Sequence, residues 1–85
     1  MRYSIGHFTE CCKNRDLEVW IYEEGDSYGV SLSTRFPEAG RTVTRRTFES
    51  LQEAYKVFEK LVSWMVFEHY TEDQKRQYLE TGTMA

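Results

Sequence analysis

Four side chains in this sequence have the chemistry to hold a metal ion or to cycle a thiol: His7, Cys11, Cys12 and, far along the chain, His69. Zinc sites usually space their cysteines by two or more residues so that both thiolates turn toward one ion, and adjacent cysteines make that awkward. A disulfide between neighbours is a strained ring that clamps nothing distant, so Cys11 and Cys12 read as reduced thiols in a loop. Nucleophilic catalysis asks for a Ser or Cys beside a base and an oxyanion site on a glycine-bearing turn, and phosphate chemistry asks for a glycine-rich loop; neither pattern is visible. His69 sits where a helix ends and reads as an interface or helix-dipole residue. No enzyme, catalytic residue, metal or cofactor is therefore expected.

A second constellation suits binding. Trp20 and Tyr22 alternate on one strand, with Arg35, Arg41, Arg45 and Arg46 on the strands that follow. Aromatics interleaved with arginines can anchor a protein interface, or stack bases and hold phosphates of a single strand. The bland alternative is an ordinary solvated strand in which Glu18 pairs with an arginine across the sheet. Farther on, Val57, Trp64 and Phe67 are surplus apolar residues on a helix, to be covered by a terminal helix or a homodimer partner. The acidic residues Glu68, Glu72, Asp73 and Glu80 offer a row of carboxylates to a partner that handles nucleic acid, or simply face water. The candidate binding residues are thus Trp20, Tyr22, Arg35, Arg45, Arg46, Trp64, Phe67, Glu68, Glu72 and Asp73.

The elements that carry them follow from periodicity. Residues 3–9 form a weakly alternating strand, and residues 9–16 lack periodicity and read as a loop. Leu17 to Tyr22 places Leu17, Val19 and Ile21 on one face and Glu18, Trp20 and Tyr22 on the other. Glu23-Glu24-Gly25-Asp26 makes a hairpin turn, and Tyr28 to Phe36 alternates again. Pairing Ile21 with Tyr28 would align Val19 with Val30 and Leu17 with Leu32, and would set Trp20 over Gly29. Pro37-Glu38-Ala39-Gly40 reads as a turn into a strand over residues 41–48, an edge strand or one with a bulge.

Ser50-Leu51-Gln52-Glu53 has the form of a capping box that opens a helix, whose stripe is Leu51, Ala54, Tyr55, Phe58, Leu61, Val62 and Met65. Thr71-Glu72-Asp73-Gln74 is a second box, so the helix should break near Tyr70 and a short one should run to Glu80, stopped by Gly82. Tyr78 and Leu79 could then fold over Trp64 and Phe67. On this reading Phe58→Ala opens a core cavity at a cost of roughly 3–5 kcal/mol. The pattern is α+β: a three- to four-stranded antiparallel sheet packed on one face by a long C-terminal helix, with a short terminal helix.

Length and charge limit the rest. Eighty-five residues hold a single domain, spanning 1–85. The net charge of -3 argues against a general nucleic-acid or anionic-membrane binder. Residues 1–48 balance seven basic against seven acidic side chains, whereas residues 49–85 hold four against seven, so the acidity lies in the helices. No apolar run reaches membrane-spanning length and the opening residues alternate, so a cytoplasmic protein is expected.

The run Val19-Trp20-Ile21-Tyr22-Glu23-Glu24-Gly25, a strand, a glycine turn, an arginine-bearing strand and Phe48-Glu49-Ser50 opening a helix resembles the small phage-encoded anti-CRISPR proteins of the type I-F class. The resemblance covers most of Leu17 to Leu61. It implies a non-enzymatic protein in the host cytoplasm that occludes a surface of a bacterial CRISPR effector. The segment with Cys11 and Cys12 and the longer aromatic helix depart from that pattern. A second likeness, to the antitoxin half of HicB-type systems, lies in the hairpin followed by an alanine-containing helix, without the usual Pro-Gly strand end. The two functions to separate are an inhibitor that binds a protein complex and a single-stranded RNA or DNA module.

Overall fold

In the computed structural model of the chain, residues 2–12, 15–36, 40–67 and 69–82 are described, with side chains except at 11, 12, 15, 16, 35, 36 and 41. Four antiparallel strands, β1 (Arg2–Cys12), β2 (Arg15–Glu24), β3 (Ser27–Phe36) and β4 (Gly40–Phe48), form one sheet in chain order. Two helices follow, α1 (Leu51–Val66) and α2 (Glu72–Thr81). The expected α+β architecture is thus the one observed, with the long helix at 16 residues.

The β2–β3 hairpin sets the sheet. Glu24 pairs with Ser27 across a two-residue turn of Gly25 and Asp26, and Gly25 takes φ +61, the conformation that a tight hairpin turn reserves for glycine at its first central position. The register therefore differs by two residues from the expected one: Ile21 meets Val30, Val19 meets Leu32 and Leu17 meets Thr34. A shift of two keeps every side chain on its expected face, because strand side chains alternate with period two. It changes the cross-strand partners, however, and Gly29 lies opposite Tyr22 rather than Trp20.

Leu17, Val19, Ile21, Val30 and Leu32 form the buried floor under the helices. Ser50 opens α1 as expected, its hydroxyl accepting from the Glu53 N–H at 3.4 Å. The helix presents Ala54, Val57, Leu61 and Met65 to the floor, all buried. This stripe is rotated from the expected one. Val57, expected to be surplus, is core, while Leu51 and Tyr55 are 41% and 44% exposed. The reason is α2, which lies over β3 and β4 beside α1 and draws the Val57 and Trp64 flank of α1 inward.

The second capping box is complete: Thr71 accepts from the Gln74 N–H, and Gln74 accepts from the Thr71 N–H. Gly82 ends α2 at φ +80. Tyr70 turns the chain between the helices at φ +66, a left-handed conformation uncommon for a bulky side chain. Its ring edge meets Trp64 at 4.8 Å, and Tyr78 meets Trp64 at 4.9 Å. Leu79 is fully buried, and Arg76 reaches from α2 to the Thr34 hydroxyl at 3.4 Å.

One expectation at the sheet's ends needs correction. Residues 9–16 were expected as a loop, but β1 continues to Cys12 and β2 begins at Arg15, with Thr9 opposite Glu18 and Cys12 opposite Arg15. Pairing of backbones extends these strands beyond the apolar pattern, which only a covered face enforces. Of the two alternatives for residues 41–48, an edge strand or a bulge, the first holds; the register shift among the described pairs lies in β1, between Ser4 and Gly6. β4 is an edge strand, as expected, and pairs with β3 without a shift. Residues 37–39, read as a turn, lie outside the described residues.

Leu61 is fully enclosed whereas Phe58 is half-buried, so Leu61→Ala should lose about 2–5 kcal/mol, and Phe58→Ala less than the ~3–5 kcal/mol of an enclosed phenylalanine. Chemical denaturation of the two variants checks the order; a larger loss at Phe58 would contradict this packing.

Candidate functional site

The face of the sheet turned away from the helices is built by alternation. Among its described side chains β3 contributes small ones to it, Ser27, Gly29, Ser31 and Ser33, between larger ones from its neighbours: Glu18, Trp20 and Tyr22 on β2, and Val43 and Arg45 on β4. A furrow with a serine floor results, lined also by Arg2 from β1, with a volume of about 190 Å³. That is below the roughly 300–1,000 Å³ of pockets that enclose small molecules. It suits one inserted side chain better than a substrate.

Trp20, half-buried, forms one wall. One face of its indole stacks on His7 of β1 with ring centres 4.3 Å apart and planes at 16°, and its Nε1–H donates to Glu18 Oε2 at 3.2 Å. The ring is thereby held in a single orientation. Tyr22 is only 7% exposed. The hydroxyl end of its ring lies over Gly29, so close that a Cβ there would fall 2.4 Å from it, and the ring covers glycine backbone that would otherwise meet water. The Arg2 guanidinium lies 4.6 Å from the centre of that ring and donates from Nε to Glu24 at 2.6 Å. This bond, with the attraction between the charges, holds the Glu24 carboxyl below the usual carboxylate range and the Arg2 guanidinium above its ordinary value. The pair is therefore intact at neutral pH and is lost only as pH falls through the lowered titration of Glu24. Arg45 and Val43 form the other wall, both exposed and opposite Ser31 and Ser33.

Of the residues singled out in the sequence, Trp20, Tyr22 and Arg45 meet at this furrow. Arg46 does not. Alternation places it on the helix side, where its guanidinium lies 4.9 Å from the centre of the Phe48 ring and beside Gly82 at the end of α2. The backbone of Arg35 pairs with Asp16 and Arg41, while its side chain and the whole of Glu68 lie outside the described residues. Trp64 is half-buried between Tyr70 and Tyr78, with Lys60 above it. Phe67 is 67% exposed at the end of α1, alongside Val66 and Tyr70. Glu72 and Asp73 both accept from Arg76 on the same helix, at 3.4 and 3.0 Å, so these carboxylates serve α2 itself. The furrow adds Arg2, Glu18, Ser31, Ser33 and Val43 to the reading from sequence. Arg2 was findable only by pairing β1 with β2, which sets it opposite Glu24.

Among the described residues, no group of three or more His, Cys, Asp or Glu side chains converges as metal ligands would. No described helix is long and apolar enough to cross a membrane. Comparison with known proteins finds no family model, no curated sequence and no solved structure that matches this chain.

A methyl at Gly29 must displace the Tyr22 ring. Gly29→Ala should therefore cost about 1–3 kcal/mol by overpacking, and Tyr22→Ala in the same background should recover part of the loss. Thermal melts of the two single variants and the double check this; a neutral Gly29→Ala would contradict the close approach.

Proposed function

We propose that this protein is a non-enzymatic binding protein that docks another protein on the outer face of its sheet and acts by occluding the surface it covers. The observation that carries the reading is the serine-floored furrow between an oriented Trp20 and the exposed Arg45. Trp and Arg beside a cavity of one side chain's size are what protein interfaces use as anchors, and an oriented Trp loses little rotamer freedom on binding. The furrow carries both signs of charge: Arg45 and Arg2 against Glu18, a mixture that suits the varied surface of a protein partner.

The resemblance to type I-F anti-CRISPR proteins names a partner class. On that reading the chain is a phage-encoded inhibitor working in the host cytoplasm on a bacterial CRISPR effector complex. The resemblance rests on the segment containing Trp20 and Tyr22, the strand that walls the furrow.

Single-stranded nucleic acid is the second reading, favoured by the same aromatic and arginine residues. Three features weigh against it. Glu18 stands beside Trp20 and repels phosphate, His7 occupies one face of the indole, and Arg2 is engaged by Glu24.

The test uses the full chain as bait in a bacterial lysate carrying a type I-F CRISPR system, with Trp20→Ala and Arg45→Glu as variants. The effector should co-purify with the wild type and be lost with either variant, while both variants keep the wild-type melting transition. Retention of the effector by both variants, or its absence from the wild-type eluate, would remove the proposal. Oligonucleotide binding at low salt that weakens steeply as salt is raised would instead establish the second reading.

A further inference from the structure

The register of the sheet gives the outer furrow a pattern of its own. Ser31 lies between Trp20 on β2 and Arg45 on β4, and Ser33 lies between Glu18 and Val43. Two rows therefore cross the furrow side by side, about 6.6–6.8 Å apart along the strands. Charge and apolar surface fall on opposite diagonals of this square, Arg45 and Glu18 on one and Trp20 and Val43 on the other.

The charges are not equally available. Glu18 is half-buried, and one of its oxygens already accepts from the Trp20 indole at 3.2 Å. Arg2, the other cation of the lining, is engaged by Glu24. Arg45 is exposed, and among the described residues no carboxylate lies within ion-pair distance of it. At Glu24 its charge is felt less than that of Arg2. A guanidinium offers five N–H donors in a planar fork. Beside it on the floor stands Ser31, its direct cross-strand neighbour, whose hydroxyl also donates. The open capacity at this end of the furrow is donor capacity, and its complement is an acceptor that carries negative charge.

We infer that the side chain a docked protein inserts here is a single carboxylate, an aspartate or glutamate, received by the Arg45 fork and the Ser31 hydroxyl. The inference rests on the docking reading above and names what the partner contributes to it. Glu18 limits the choice. It stands across the floor and one row along, so a lone carboxylate at Arg45 lies on the far diagonal from it. A run of acidic side chains along the furrow would bring one of them beside Glu18, where like charges repel. The furrow is thus built for an isolated acidic residue.

A nuclear magnetic resonance titration of the full, isotope-labelled chain tests this with N-acetylglutamate N-methylamide and, for comparison, its glutamine and lysine counterparts. The signals to follow are the amides of Ser31, Ser33 and Arg45 and the Trp20 indole N–H. The glutamate probe should move them saturably at roughly tens of millimolar, with the other two at least about threefold weaker. Arg45→Gln should abolish that preference. Glu18→Gln, which keeps an oxygen for the indole, should tighten the glutamate probe about twofold, the effect of removing a like charge two strands away in water. Glutamine or lysine probes that bind as tightly as glutamate, signals that none of the probes moves, or a preference that survives Arg45→Gln would each overturn the inference. The comparison of probes on the wild-type chain holds even where a variant fails to fold. Effector capture by a furrow indifferent to carboxylates would overturn this inference alone, whereas carboxylate binding without effector capture would support it and remove the effector as the partner.

Discussion

The register of β2 against β3 is the constraint from which the other features follow. Those strands hold the whole aliphatic floor, Leu17, Val19, Ile21, Val30 and Leu32, and the inner half of the furrow, Trp20, Tyr22, Ser31 and Ser33. A slip of one residue would turn aliphatics to water and aromatics to the helices. Two local features oppose it. Gly25 accepts the positive φ of a two-residue turn that sets Glu24 opposite Ser27, and Tyr22 lies over a position where only glycine leaves room. The turn acts from the hairpin's end, whereas the ring acts at Gly29, two residues beyond Glu24's partner Ser27, and on the opposite face from the core. Local chemistry and long-range packing thus choose the same pairing.

With the faces sorted, the two sides divide the work. The inner side is aliphatic and sealed by α1 and α2, and burial there supplies the stability of a chain this small. Among the described residues no element covers the outer side, and its ordering comes from contacts among its own side chains: His7 on Trp20, Trp20 on Glu18, Arg2 on Tyr22 and Glu24. These exposed contacts add little to stability individually. Their effect is to fix rotamers, which is the condition for an anchor that binds without a large entropic cost.

Much of this was legible in the residue order. The caps at Ser50 and Thr71 and the stop at Gly82 are readable because they depend on residues four apart or fewer, and the outer face of Trp20 is readable because alternation along one strand suffices. What failed depended on partners far away in sequence. The register differs by two from the one the apolar match favours because the turn's first central residue decides the pairing. Residues 9–16 looked like a loop because an edge strand with one uncovered face has no apolar pattern to keep. The α1 stripe lies one flank away from the one periodicity predicts because both flanks are apolar, and only the position of α2 decides that Val57 goes inside while Tyr55 stays out. Arg46 could not be assigned to a face until β4 was paired with β3, since Val43, Arg45 and Thr47 on one side and Thr44 and Arg46 on the other give no apolar contrast.

The pairing itself can be observed directly by nuclear Overhauser spectroscopy of the β2–β3 hairpin in solution. The account predicts contacts from the Tyr22 ring to the Gly29 α-protons, with one of those protons shifted upfield by the ring, together with contacts between Ile21 and Val30. Contacts that link Ile21 with Tyr28 and carry the Trp20 ring to Gly29 would show the other register and contradict it.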